Sequence, residues 1–216
     1  MRIELENVRP EDIEARSFAI ITEELKEQGK ELPEEYAPII KRVIHTTADF
    51  EYADTLCFSE NVLEHAREAL KKGACIVTDT QMAKSGINKK VLAKFGGQVY
   101  NFMIDEDVAR MAKEQGTTRA VACMDKAAQL TEPLIFAIGN APTALVRLYE
   151  LISEKKLQPE LIIGVPVGFV NVVASKELIL KTEVPYIVAR GRKGGSNVAA
   201  AICNALLYLL DESRGS

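Results

Sequence analysis

From Ala74 onward, short apolar runs alternate with amphipathic stretches. That alternation predicts an α/β protein: three layers, a mostly parallel sheet with helices on both faces, Rossmann-like in its winding. A second observation agrees with the first. Polar, glycine-bearing segments follow most of the apolar runs, where such sheets carry their binding loops.

The elements follow in chain order. Residues 10–28 read as a helix, with Ile13, Phe18, Ile20, Ile21 and Leu25 at helical spacings and Gly29 as the stop. Residues 32–44 form a second helix with Pro33 near its start. Residues 59–72 form a third, with Ser59 as N-cap, Lys71 and Lys72 in the last turn, and Gly73 as the stop. Strands are expected at residues 74–77, 98–102, 134–138, 161–165 and 186–188. Helices are expected at 89–95, 105–115, 119–130, 143–154, 172–180 and 197–209. One domain covers residues 1–216, with a mostly helical part at 1–58, the α/β core at 59–210 and a tail at 211–216. No internal repeat or linker interrupts it.

The chain has 216 residues, 27% charged and 47% hydrophobic, with a net charge of -4. Its length supports a substantial core. A mildly acidic chain offers no broad basic surface for nucleic acid. The four cysteines, Cys57, Cys75, Cys123 and Cys203, are scattered without a CxxC pair, and only two histidines could join them. That argues against a zinc site and makes Cys75 and Cys203 small core residues. With no signal-peptide pattern, a reducing cytoplasm is expected. The longest apolar stretches, 161–174 and 198–210, contain Gly164, Pro166, Gly168, Asn171 and Asn204. No membrane span is expected from them.

Of the two histidines, His45 sits where the second helix breaks, beside Thr46 and Thr47 and three residues after Arg42. Imidazole exchanges protons near neutral pH, which makes His45 the candidate acid/base. Asp49, Glu51 and Asp54 could orient it, although acids in a loop are usually solvated. His65 lies in an amphipathic helix and is assigned to the surface. In residues 190–196, three cations alternate with three glycines before a helix. Glycines allow close backbone approach, and a helix N-terminus attracts anions, so Arg192 and Ser196 belong to an expected anion-binding loop. Asn140, in Gly139-Asn140-Ala141-Pro142-Thr143, can cap the next helix or meet a ligand, with capping favoured. Arg119 begins a helix, where a cation is mildly disfavoured unless an anion joins it. Arg16 stands on the first helix, where an arginine is ordinarily solvated. These residues suit an enzyme acting on a polycarboxylate. Walker and GxGxxG spacings are missing, which counts against a nucleotide-dependent enzyme.

Several ordered motifs resemble the precorrin-8X methylmutase family, called cobalt-precorrin-8 methylmutase in the anaerobic route to vitamin B12. They are Arg16-Ser17-Phe18-Ala19-Ile20-Ile21, Arg42-Val43-Ile44-His45, Thr78-Asp79-Thr80-Gln81-Met82 with Gly86-Ile87, and Thr118-Arg119. They continue with Ile138-Gly139-Asn140-Ala141-Pro142-Thr143-Ala144-Leu145, residues 164–170 with Ser175-Lys176, and residues 190–196. The resemblance covers nearly the whole chain. It implies an isomerase that moves a methyl group from C11 to C12 of the macrocycle and consumes no methyl donor. It further implies His45 as proton donor and acceptor, and Ser17 and Arg42 as substrate contacts, joined by Arg119 and the loop around Arg192. No cofactor is implied, since any cobalt belongs to the substrate, and cobalt-precorrin-8 is favoured over the metal-free form. A homodimer with active sites near the subunit interface is implied as well. The sequence departs from the family after His45, where Thr46-Thr47-Ala48 stands near family cysteine and glycine. The alternative reading is a non-catalytic corrinoid carrier, which would use the same arginines and need no acid/base.

Overall fold

A computed structural model describes residues 6–211. The sheet has strands β1 (Leu56–Phe58), β2 (Cys75–Thr78), β3 (Val99–Tyr100), β4 (Leu134–Ile138), β5 (Leu161–Gly164) and β6 (Tyr186–Ala189). Their order is β1-β6-β5-β4-β2-β3, all parallel except β1, which runs antiparallel to β6. The parallel strands thus wind outward in two directions from the β2–β4 boundary. In a doubly wound sheet that boundary, at the carboxyl ends of the strands, is where ligands bind.

Helices cover both faces. On one lie α1 (Ile13–Glu27), α2 (Ala37–Thr47), α4 (Val62–Lys71), α5 (Gln81–Gly86), α6 (Lys89–Lys94) and α11 (Ser196–Leu210), with the short α3 (Tyr52–Thr55) leading into β1. On the other lie α7 (Glu106–Glu114), α8 (Arg119–Ala127), α9 (Pro142–Ser153) and α10 (Val172–Ile179). The central strands are apolar at nearly every position, so alternate side chains feed opposite cores. Ile135, Ala137, Leu161 and Ile163 pack under α11, while Leu134, Phe136, Ile138 and Ile162 pack under α8 and α9. Burying each such side chain contributes about 1.5–3 kcal/mol before entropy is charged. Cys75, Cys123 and Cys203 are buried among them, and His65 is exposed. Among the described residues, no helix is long and apolar enough to cross a membrane.

The five expected strands form, and the expected helices form with shifted ends. Several details differ. The segment read as mostly helical contributes β1, whose edge pairing to β6 also ties in Ser59. The Ser59 hydroxyl accepts from the Tyr186 N–H, so it staples loop to strand and does not cap α4, which begins at Val62 after left-handed Asn61. Pro33 lies before α2; Pro38 takes the first-turn position, and the helix runs on through His45 to Thr47. Gly29 and Gly73 end their helices at φ +68 and +83, which favour glycine. Ala48 adopts φ +53 at the end of α2, a left-handed conformation that strains an alanine and that glycine adopts freely. Of the expected tail, Asp211 is buried and paired with Lys94 at 2.9 Å. Residues 212–216 lie outside the described residues.

Candidate active site

The α2 helix ends at the same edge of the sheet as the loops that follow the parallel strands. Arg42 meets Tyr208 near the close of α11, and Asp49 meets Lys193 just before α11 begins. The two helices therefore lie antiparallel, and the end of α2 faces the β6–α11 loop. Its apolar face, with Ile39, Ile40, Val43 and Ile44, is buried. That leaves His45 exposed on the rim.

His45 is held by α1. The Ser17 hydroxyl lies 2.7 Å from His45 Nδ1. The Phe18 ring meets the imidazole edge to face, with centroids 5.6 Å apart. Arg42 lies beneath, its guanidinium over Phe18 at 5.3 Å and over Tyr208 at 4.8 Å. It also forms a fork with Glu14, at 2.7 and 3.3 Å. Arginine suits such a place because its planar cation stacks on rings and pairs bidentately at once. In this state Arg42 buttresses the ring that orients His45. Arg16 points elsewhere and pairs with Glu6 at 2.7 Å in an exposed position, which raises its pKa.

The acids considered as orienters of His45 have other partners. Asp49 and Glu51 both hold Lys193, each at 2.6 Å, and Asp54 holds Lys30 at 2.6 Å. Lys193 holds the Asp49 carboxyl below its usual range, and its own pKa rises in turn. Lys193 is thus a strap from the β6–α11 loop to the end of α2. Ser17, and not one of these acids, is the side chain within hydrogen-bond distance of His45.

A second group of residues gathers at the carboxyl ends of the strands. Asp79, directly after β2, is buried, and its carboxylate accepts from the N–H groups of Gly139 (2.9 Å), Asn140 (2.8 Å) and Ala141 (2.6 Å). Burial pushes this carboxyl up, and the three N–H donors pull it back. The switch point between β2 and β4 is therefore filled by the chain's own carboxylate. Asn140 does not cap α9: Asp79 satisfies that turn from the neighbouring strand, while the Asn140 side chain remains exposed. Pro142 takes the first helical turn as expected. Thr80 caps α5 through the Ala83 N–H and meets Ser196 Oγ at 2.7 Å, so Ser196 is tied to α5 at the start of α11. A side chain at Gly139 would clash with Ser196 Cα at 2.7 Å.

Arg192 is exposed, with its guanidinium 5.2 Å over Phe169. Phe169 and Val170 are 80% and 79% exposed, and Met82 on α5 and Ile104 on the loop after β3 are also exposed. Arg119 is exposed at the start of α8, 3.5 Å from the Met103 carbonyl. Thr118 caps that helix and reaches Thr143 at 3.1 Å. The structure thus joins Ser17, Arg42 and His45 in one cluster, with Arg192 on the facing loop and Ser196 at the start of α11. Asn140 and Arg119 lie on the strand-end loops, and Arg16 stands apart. Sequence reasoning missed Glu14 and Tyr208, and it named Asp79 only as part of the Thr78–Met82 motif, without a role.

An exposed imidazole in contact with a serine hydroxyl, with arginines and exposed apolar side chains on the neighbouring loops, marks this edge of an α/β sheet as the candidate active site of an enzyme. The chain matches the family model described as precorrin-8X methylmutase over residues 12–209. It is 47% identical to the cobalt-precorrin-8 methylmutase of Salmonella typhimurium, over 95% of this chain and 98% of that protein. It is 37% identical to the precorrin-8X methylmutase of Pseudomonas aeruginosa, over 88% and 91%. The solved structure of precorrin-8X methylmutase from Thermus thermophilus superimposes with a TM-score of 0.83 at 35% identity, covering 94% of this chain and 98% of that one. The chain belongs to the precorrin-8X methylmutase family, and it is an isomerase of cobalamin biosynthesis. Family membership sets the carrier alternative aside.

Proposed function

We propose that this protein converts cobalt-precorrin-8 to cobyrinate by moving the C11 methyl group to C12, with His45 as proton donor and acceptor. The supporting observation is the 2.7 Å contact between Ser17 Oγ and His45 Nδ1 on an exposed ring. Protonated on both ring nitrogens, His45 donates its Nδ1–H to Ser17 and holds a second proton on Nε2 to pass to the substrate. Nε2 gives its proton to the conjugated macrocycle and draws electron density from the migrating bond. The methyl group breaks from C11 and bonds to C12, and Nε2 recovers the proton. Atoms balance, since substrate and product are isomers. A positioned acid contributes about 100- to 10,000-fold, and holding the macrocycle in one conformer contributes much of the rest.

The substrate is a broad apolar ring edged by carboxylates. Arg192, Arg119 and Ser196 receive carboxylates, and arginine's fork fits them in pairs. Arg42 joins them if the substrate displaces Glu14, and Arg16 and Asn140 serve the outer side chains. The exposed Phe169, Val170 and Met82 offer apolar surface to the ring. The protein needs no cofactor for an isomerisation, works in the cytoplasm and acts as a homodimer. Anaerobic incubation with cobalt-precorrin-8 and its metal-free counterpart, followed by absorbance, tests the reading. Conversion of the cobalt form in preference supports it; conversion of neither overturns it. Sedimentation at micromolar concentration tests the dimer.

A further inference from the structure

Lys176 has no task in the reaction as drawn, yet its placement is unusual. It stands on α10 with 0% exposure. Its ammonium donates to the carbonyl oxygens of Gly191 at 2.9 Å and Lys193 at 2.8 Å. Among the described residues, no carboxylate pairs with it. A buried cation without a counter-ion is costly, and burial lowers this one's pKa to about 8.

The carbonyls it draws inward determine where the neighbouring amides point. Every described peptide is trans, so each N–H faces away from the carbonyl of its own peptide unit. Turning the Gly191 and Lys193 carbonyls toward Lys176 turns the Arg192 and Gly194 N–H groups away from it. Among the described residues, neither N–H has a hydrogen-bond partner. The loop is fixed on its other side as well, by Gly195 N–H to the Val165 carbonyl at 2.8 Å and Gly168 N–H to the Arg192 carbonyl at 3.1 Å. Gly194 leaves no room for a side chain against Val165. The result is a rigid loop with two unclaimed donors, carried on a buried positive charge and followed by the start of a 15-residue helix.

We propose that Lys176 is a positioning residue: by holding the Gly191 and Lys193 carbonyls it presents the Arg192 and Gly194 N–H groups to one carboxylate of the substrate. The inference rests on the corrinoid reading of the preceding subsection. Lys176 does not touch substrate. It sets the donor geometry, and its charge strengthens donors that share peptide units with its acceptors.

The test compares wild type with Lys176→Met and Lys176→Arg. Dissociation constants are measured for the product as free acid and as its methyl ester, beside steady-state turnover. Lys176→Met is expected to weaken acid binding and raise KM by about 10-fold or more, the loss of one or two charge-assisted hydrogen bonds. The kcat at saturation should fall by less than about 3-fold, and ester binding should change as little. Lys176→Arg, which keeps charge and donors, should recover part of the acid affinity. Equal losses for acid and ester would mean that the loop has simply collapsed, and would overturn the proposal. Unchanged acid binding in Lys176→Met would overturn it too. If that variant does not fold, Lys176→Arg decides alone: selective retention of acid binding supports the proposal, and a loss common to acid and ester refutes it. Failure of wild type to bind or convert would overturn the corrinoid reading, whereas wild-type activity with an unaffected Met variant overturns only the role of Lys176.

Discussion

Raising the pH from 7 to about 10.5 should stabilise the native state through Lys176 by about 3 kcal/mol. Burial lowers this ammonium from 10.5 to about 8. Below about pH 8 the lysine is charged in both states, and the native state bears the full cost of desolvation. Between about 8 and 10.5 the native lysine releases its proton while the unfolded one keeps it. The unfolded state then binds more protons, so stability rises with pH. The drop spans about 2.5 pH units at about 1.36 kcal/mol each, hence about 3 kcal/mol. Tyr52 and Tyr100, both held up to about 12, act in the opposite sense above pH 10. They cancel when wild type is compared with Lys176→Met. Urea unfolding of both proteins at the two pH values gives the difference directly. Wild type should gain about 3 kcal/mol on the variant, or roughly 6–12 °C in Tm at about 2–4 °C per kcal/mol. Parallel pH dependences in the two proteins would refute the claim that a charged lysine is buried without a counter-ion.

Other outcomes follow from single contacts. Ala48→Gly relieves a left-handed alanine after His45 and should stabilise by about 1 kcal/mol in thermal or chemical unfolding. Asp79→Asn removes a carboxylate that serves three N–H groups and should cost about 3 kcal/mol, read by the unfolding midpoint. Ser17→Ala frees Nδ1 of His45 and should lower kcat by about 10-fold with product affinity unchanged. An unchanged kcat would show that the hydroxyl does not orient the ring. Gly194→Ala drives a methyl into the Val165 carbonyl and should weaken product binding along with stability, measured by titration and melting.

The fold was legible where burial is uniform. β4 and β5 are apolar at nearly every position because helices cover both faces, and such runs are hard to mistake. β1 was hidden because it has only three residues, flanked by Thr55 and Ser59, and owes its strand state to pairing with β6. α5 was missed for a related reason. Ala83 is its one buried residue, so six positions carry no period, and the Thr80 cap starts it. His45 could be singled out by residue type and place, but its partner lies 28 positions earlier and is supplied by helix packing. Asp79 carried a usable signal, an acid directly after a buried strand at the switch point of the sheet. Lys176 carried one also: it stands four residues after Val172 and three before Ile179, on the buried stripe of α10, where a lysine has to find acceptors.

The most direct test of the proton-transfer claim is anaerobic turnover of cobalt-precorrin-8 by wild type and His45→Ala, with product binding measured on both. Wild type should convert the substrate. The variant should bind product nearly as well while losing about 100- to 10,000-fold in kcat. Turnover by His45→Ala at the wild-type rate would contradict the account, because the methyl shift would then proceed without the proton that His45 is held in place to give.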